Sequence, residues 1–430
     1  MPISLQQPDT KETVDLRMAS SSVTTISNSG AHAPAKCRGA IVTGADYRGL
    51  GVVRSLGRRG IPVWVLREDG HFIGAASRYT SRTVRWPEGD THSRIEFLED
   101  MAIREGLKDW ALFPTTDELV MLIAHHHKAL SAQYRITIPA WGTLQWLCNK
   151  QLLHRMADHV GAHQPWSFFP RDRAQLASLD CRFPVILKPI LRMAFNRFTR
   201  DKAWRAADRE SLLALYDEAA ALIGPEMVMI QELVPGWGEA QFSYAALWKD
   251  GRPIASVVAR RTRQFPMDFG RFSTYVETLD EEEVAEIVDA ATRLLAASAF
   301  TGIAEVEFKR DVRDGEYKLL DVNPRVWGWH TLGQRAGVDF PYLLWRLLNG
   351  EPIREVRARA GERWMRFSAD MPMAVYEILK GRLSVWDYLR SLRVPVESAI
   401  FAWDDPLPGL LEFPSLLALV GNRISVKGGL

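Results

Sequence analysis

Residues 304–329 read AEVEFKRDVRDGEYKLLDVNPRVWGW, from Ala304 to Trp329. The pattern predicts a strand over Ile303–Arg310, a turn at Asp314-Gly315 and a return strand over Glu316–Asn323. Side chains alternate between the two faces of a strand. Glu305, Glu307 and Lys309 should therefore share one face while Ala304, Val306 and Phe308 share the other. On the return strand Tyr317, Leu319, Asp321 and Asn323 are expected on a common face. If Glu307 pairs with Asp321, the two carboxylates lie on one face, roughly 5 Å apart at the backbone. Close like charges are costly unless something positive sits with them. Hard oxygen donors on rigid strands are what a magnesium ion bridging nucleotide phosphates requires. An exposed hairpin with a solvated acidic face is the plainer alternative. The apolar flanks and the Asn323-Pro324-Arg325 run favour the metal-binding reading.

Working outward, the totals are those of an ordinary globular chain. Its 430 residues are 47% apolar and 25% charged, enough for two or three domains around substantial cores. A formal charge of +2 offers no argument for nucleic acid. The three cysteines, Cys37, Cys148 and Cys181, lack metal-ligand spacing, and so sparse a count suggests a reducing compartment. No run of about 18 apolar residues predicts a transmembrane helix, and the first 36 residues lack the layout of a secretory signal. A soluble, cytoplasmic protein is expected.

Residues 1–36 are rich in Ser, Thr, Ala and Pro and are expected to be a disordered tail. From Arg38 the order strand, glycine-bearing turn, helix, strand predicts an α/β domain over 37–145 with a parallel sheet. Gly44, Gly49 and Gly51 do not have G-x-G-x-x-G spacing, which argues against a nicotinamide site. Thr115, Thr116 and Asp117 follow a strand's carboxyl end, where such sheets bind ligands, although helix capping alone would also explain them. His125, His126 and His127 are consecutive on a helix and so diverge. Lys150 opens the next helix, which breaks at Gly161. FPVILK (183–188) predicts a short strand ending at Lys188, and a basic stretch with Arg192, Arg197, Arg200 and Lys202 follows. Two strands joined at Lys249-Asp250-Gly251 come next, the first broken at the Pro235-Gly236 hinge and the second ending with Arg260, Arg261 and Arg263. Residues 351–430 are expected to be a helical extension and a Pro-punctuated tail.

Lys150, FPVILKP, IQELVPGWGE, EVEF and LLDVNPR, in that order, resemble the ATP-grasp superfamily, whose members include D-alanine–D-alanine ligase, biotin carboxylase and carbamoyl phosphate synthetase. The chain is most similar to the carboxylate–amine ligase branch, and the resemblance covers roughly residues 38 to 405. It implies an α/β and α+β architecture. A Rossmann-like pre-ATP-grasp domain (37–145) would precede an ATP-grasp domain (146–350) that comprises a small lid (about 165–233) and a larger C-terminal α+β part. The resemblance further implies that Lys150, Lys188 and Lys202 reach nucleotide phosphates. Gln231, Glu232, Leu233 and Val234 would line adenine, and Glu239 would hold the ribose hydroxyls. Glu307, Asp321 and Asn323 would hold Mg²⁺ or Mn²⁺, while Arg263 and Arg325 would serve the transferred phosphoryl group or an acid substrate. Three departures stand out. Residues 189–203 contain no glycine, Asp321 replaces the usual Glu, and Glu305 stands where some ligases have an arginine.

The function so implied is an ATP-dependent ligase that converts a carboxylate to an acyl phosphate and joins it to an amine, releasing ADP and phosphate. A bicarbonate-activating carboxylase and a non-catalytic ATP-binding regulator are the alternatives. Partners would be small-molecule acids and amines. Dimers are common in the superfamily, so the resemblance allows a homodimer, but the sequence does not set the oligomeric state. The substrate pocket is expected beside residues 115–118, the 266–274 loop, Trp327 and Trp329.

Overall fold

The computed structural model describes residues 38–412, except 69, 88, 193–195, 202, 266 and 268–271. The tail expected over 1–36 and the expected phosphate contact Lys202 lie outside the described residues.

Short apolar runs bounded by turn residues build the first sheet. Its strands are β1 (Ala40–Val42), β2 (Val63–Arg67), β3 (Arg82–Arg85), β4 (Trp110–Phe113) and β5 (Tyr134–Ile136). All pair in parallel in the order β3-β2-β1-β4-β5. β1 and β4 are wholly buried, as expected where helices cover both faces of a parallel sheet. The strand order reverses between β1 and β4, so the carboxyl ends of those two strands flank the crevice where such sheets bind ligands. Asp46 caps the helix Tyr47–Gly57 there, and Thr116 caps the helix Asp117–His125. The glycines after β1 answer to packing. A Cβ on Gly49 would stand 1.9 Å from the Gly44 carbonyl, and one on Gly51 would stand 2.4 Å from His330 Nε2.

A second sheet comprises β6 (Ser167–Phe168), β7 (Val185–Pro189), β8 (Trp204–Ala206) and β9 (Val228–Glu232). Its order is β6-β9-β7-β8, antiparallel throughout, and it packs on the helix Arg209–Ile223 through Leu212, Tyr216 and Ala219.

The third and largest sheet runs β14-β13-β10-β11-β12-β16-β17, with β15 paired to β11. Its strands are β10 (Gln241–Lys249), β11 (Arg252–Phe265), β12 (Phe272–Leu279), β13 (Gly302–Arg310), β14 (Tyr317–Asn323), β15 (Val356–Arg357), β16 (Arg363–Met365) and β17 (Glu397–Ser398). The expected strand interrupted at Pro235-Gly236 is in fact two strands of different sheets, β9 and β10. One face of the large sheet carries Val306, Phe308, Phe242 and Tyr244 against Ile287, Ala291 and Leu294 of the helix Ala285–Ala297. Each fully buried large side chain there contributes about 1.5–3 kcal/mol. The opposite face is apolar at one end, where Ala245, Val257 and Ile303 meet Trp327 and Trp329. At the other end it is polar.

The hairpin β13–β14 pairs Glu305 with Asn323 and Glu307 with Asp321, the register on which a shared acidic face depends. The next pair is Phe308 with Leu319, so Leu320 is an extra residue and the register shifts. This corrects the expectation that Leu319 shares a face with Asp321. The bulge turns Leu319 into the core while Asp321 stays on the polar face.

Candidate functional site

The polar face is built by register. Gln241 lies opposite Lys309, and Ser243 lies between Glu307 on β13 and Ala259 on β11. Because Ser243 and Ala259 are small, Arg261 reaches across β10 to the carboxylates. Its Nη2 lies 2.7 Å from Glu307 Oε1 and 3.1 Å from Glu305 Oε1. Trp329 Nε1 donates to Glu305 Oε1 at 2.9 Å, and Gln241 Nε2 donates to Glu307 Oε2 at 3.1 Å. Burial, reinforced by the neighbouring Glu307, pushes the Glu305 carboxyl above the usual range. Burial opposes the charge on Arg261, but Glu307 and Glu305 outweigh it and hold the guanidinium above its ordinary value.

Asn323 donates its Nδ2 to Glu307 Oε1 at 2.7 Å and to Glu305 Oε2 at 3.1 Å, while its Oδ1 accepts from Arg325 Nη2 at 3.1 Å. In this arrangement the carboxamide oxygen faces Arg325 and not the gap between Glu307 and Asp321. Of the three expected oxygen ligands, the structure opposes Glu307 and Asp321 and sets the Asn323 amide beside them, turned toward Arg325. Among the described residues no three His, Cys, Asp or Glu side chains gather as a metal-holding group.

Cations converge on these acids from the other elements. Lys150 opens the helix Lys150–Val160, and its Nζ lies 2.8 Å from Asp321 Oδ1. Its N–H donates to the Ile190 carbonyl at 3.0 Å, fastening the helix start to the end of β7. Burial would raise the Asp321 pKa, but Lys150, then Arg192 and Lys188, draw it down to about 2. Lys188 and Gln231 are diagonal neighbours across β7 and β9, and Lys188 Nζ donates to Gln231 Oε1 at 2.8 Å. Burial, followed by repulsion from Lys150, brings the Lys188 amine down to about 7. His154, one helical turn beyond Lys150, is held at about 4 by burial and then by Lys188. A buried place where one amine depresses another favours a polyanion, which would relieve both.

The crevice of the first sheet supplies the remaining anchor. Asp117 accepts from Arg325 Nε at 2.6 Å through Oδ1 and from Arg192 Nη1 at 3.0 Å through Oδ2. The turn expected to contact substrate thus holds two arginines in place.

The structure disperses the other expected residues. Glu232 accepts from the Trp166 N–H at 3.0 Å, pairs with Arg313 at 2.7 Å and lies 3.3 Å from Lys318. Arg313 and Lys318 also hold the fully buried Asp311 well below the usual carboxylate range, against burial. This network joins the second sheet to the third. The Leu233 N–H donates to the Pro184 carbonyl at 3.4 Å, and Val234 is buried. Glu239 is exposed on the 3-10 turn Gly238–Ala240, at a cavity that Lys150, Lys188, Glu307 and Asp321 do not line. Trp327 and Trp329, beside which the substrate pocket was expected, are each 1% exposed and pack within the core.

Arg263 is the main correction. Its Nε and Nη2 form a bidentate pair with Asp370 at 2.9 and 2.7 Å, between the rings of Tyr275 and Tyr388. The register of β11 against β12 shifts between Arg260 and Arg263, so Arg261 and Arg263 serve different places. Arg261 is the arginine of the carboxylate face. Sequence reasoning missed it, although the small residues Ser243 and Ala259 were a usable signal. His154, four residues beyond Lys150 on the same helix, was missed too.

Comparisons with known proteins give a family match and structures of similar fold. Residues 227–367 match a family model described as ATP-grasp in the biosynthetic pathway with Ter operon. The N-terminal section of a carbamoyl phosphate synthase large chain from Methanopyrus kandleri is 23% identical over 213 residues, 48% of this chain and 36% of that protein. The chain therefore spans about a third of that relative's length. Among solved structures, an L-amino acid ligase from Bacillus licheniformis aligns with a TM-score of 0.57 and 16% identity, covering 73% of this chain and 75% of the other. The biotin carboxylase domain of Hydrogenobacter thermophilus 2-oxoglutarate carboxylase, solved with MgADP, ADP and bicarbonate, aligns with a TM-score of 0.59 and 14% identity, covering 75% and 73%. At those identities the likeness is one of fold. The family match spans β13 and β14, which carry Glu307 and Asp321, and over residues 227–367 the chain is similar to an ATP-grasp domain.

Proposed function

We propose that the protein is an ATP-dependent ligase that activates a carboxylate as an acyl phosphate and joins it to an amine. The supporting observation is the single polar face on which Glu307 and Asp321 stand opposed, with Lys150 and Arg261 as their partners and Lys188 close by. In this reading residues 37–145 form the pre-ATP-grasp domain, about 165–233 a lid within 146–350, and 351–430 an extension.

The donor set fits magnesium shared with a nucleotide. Magnesium is usually held by one or two carboxylates together with substrate phosphates, not by an all-protein cage, and two opposed carboxylates are what β13 and β14 present. Glu307 and Asp321 would hold the ion, which when bound would neutralise phosphate oxygens.

Lys150 and Lys188 bind and orient the phosphates, and Lys188 regains its full charge as it does so. Arg325, aimed by Asp117 and Asn323, stabilises charge on the phosphoryl group in transfer, the task that dominates such catalysis. A carboxylate oxygen of the acid bonds to the γ-phosphorus while the bond from that phosphorus to the bridging oxygen breaks and ADP departs. The amine nitrogen then bonds to the acyl carbon, the carbon–oxygen bond to phosphate breaks, and the nitrogen loses a proton. The test is ADP release from ATP across a matrix of acids and amines. ADP release that requires both partners is expected. Release with bicarbonate and no amine, or tight ATP binding with no turnover across the matrix, would overturn the reading.

A further inference from the structure

A cavity of about 600 Å³ lies between the β11–β12 strands and the helices Phe367–Leu379 and Val385–Leu392. Nothing in the proposed nucleotide chemistry uses it. Met373, Leu383 and the ring of Trp237 give it apolar walls. Its charged groups are mostly already matched. Arg263 is neutralised by Asp370, Glu277 is paired with Arg260 and Arg363, and Asp387 is paired with Arg390.

Glu377 is the buried acid left without a hydrogen bond on one oxygen. It lines the cavity, is 5% exposed, and its Oε2 has no hydrogen-bond partner. Its ion-pair partner, Arg382, stands 3.6 Å away, too far for a hydrogen bond, and that guanidinium also lies over the Trp237 ring. Leaving a buried carboxylate under-satisfied costs free energy that a donor cation would recover. At the mouth Glu239 adds a second, exposed carboxylate. A buried acid held by one long ion pair, with an exposed acid beside it, over apolar walls suits an ammonium group on an apolar body. The cavity is also next to the site, because Arg263 is two residues along β11 from Arg261, which holds Glu305 and Glu307.

We propose that this cavity binds a primary amine with an apolar body, its ammonium received by Glu377, and that it is where the amine partner of the ligation docks. The second clause rests on the ligase reading; the binding itself does not.

The experiment titrates the full chain with 2-phenylethylamine, its uncharged isostere 2-phenylethanol and the anion 3-phenylpropionate, following heat and tryptophan fluorescence. The amine should bind at least about tenfold more tightly than either analogue, the worth of one charge-assisted hydrogen bond. Glu377→Gln should abolish that preference while ATP affinity, measured in parallel, stays unchanged. Met373→Trp, which fills the cavity and leaves the carboxylate, should block the amine in a protein that still binds ATP. Equal binding of amine and alcohol, or wild-type amine affinity in both variants, would overturn the proposal. In the ligation assay a raised amine KM in Glu377→Gln with unchanged ATP KM supports the docking role. An unchanged amine KM in an amine-dependent reaction sinks it while sparing the ligase reading. Glu377-dependent amine binding without amine-dependent ADP release sinks the ligase reading and the docking role, and leaves the binding site standing.

Discussion

Arg261 and Arg263 lie two residues apart on β11, both buried, and have opposite fates. Arg261 crosses Ser243 to the acids of β13 and helps form the surface on which phosphoryl chemistry is proposed. Arg263 takes Asp370 of the C-terminal extension, locking the helix Phe367–Leu379 to the sheet. The residue type is the same in each case. What differs is the partner, two strand carboxylates for one and a helix carboxylate for the other. An arginine's role here is set by what its strand faces.

The largest effect that would break this contrast lies on the carboxylate side. Glu307→Gln or Asp321→Asn should lower ADP formation by about 10³-fold, since charge positioning is the main catalytic contribution. Near-normal turnover in either variant would remove the metal assignment.

The two arginines should then separate by experiment. Arg261→Met strands Glu305 and Glu307, and Arg263→Met strands the fully buried Asp370. Removing one partner of a buried pair typically costs about 3–5 kcal/mol, so both variants should unfold at lower denaturant. Adding Asp370→Leu to Arg263→Met should recover most of that loss. Arg261→Met should in addition lower ADP formation by about 10²-fold at saturating substrates, whereas Arg263→Met should leave the ATP KM as it was. Urea titrations and initial rates on the same preparations would show this, and identical kinetic losses in both would erase the distinction.

The smallest effect concerns Lys188. Its amine lies at about 7 in the folded protein against 10.5 when unperturbed, so between those values the unfolded chain binds more protons and stability rises with pH. A phosphate ligand that restores the charge must take up a proton in that window, and its affinity should fall as pH rises through it. Calorimetry of ATP binding at pH 8.5 in two buffers of different ionisation enthalpy should detect the uptake, and Lys188→Met should abolish it.

Part of the polar face was legible beforehand because it rests on local period and type. Alternation puts Glu305 and Glu307 on one face of their strand and Asp321 and Asn323 on one face of the next, and an apolar run leads to Lys188 near the end of β7. The misplaced residues lie where local period fails. The bulge at Leu320 lets Asp321 face the site while Leu319 faces the core, which strict alternation forbids. The irregular register of β11 separates Arg261 from Arg263 in the same way. Asp117, correctly flagged at a strand end, turned out to anchor Arg192 and Arg325, which are distant in sequence.

The sequence by itself determined that two carboxylates would share a sheet face and that basic residues from preceding segments were available to them. Alternation and composition are properties of neighbouring residues and need no fold. Which cation meets which acid was decided only by the tertiary structure. Strand β10 is interposed between β11 and β13, and its small Ser243 lets Arg261 cross, whereas the C-terminal helix captures Arg263 first. An ion pair depends on distance and burial, and both are set by how the sheets and helices assemble.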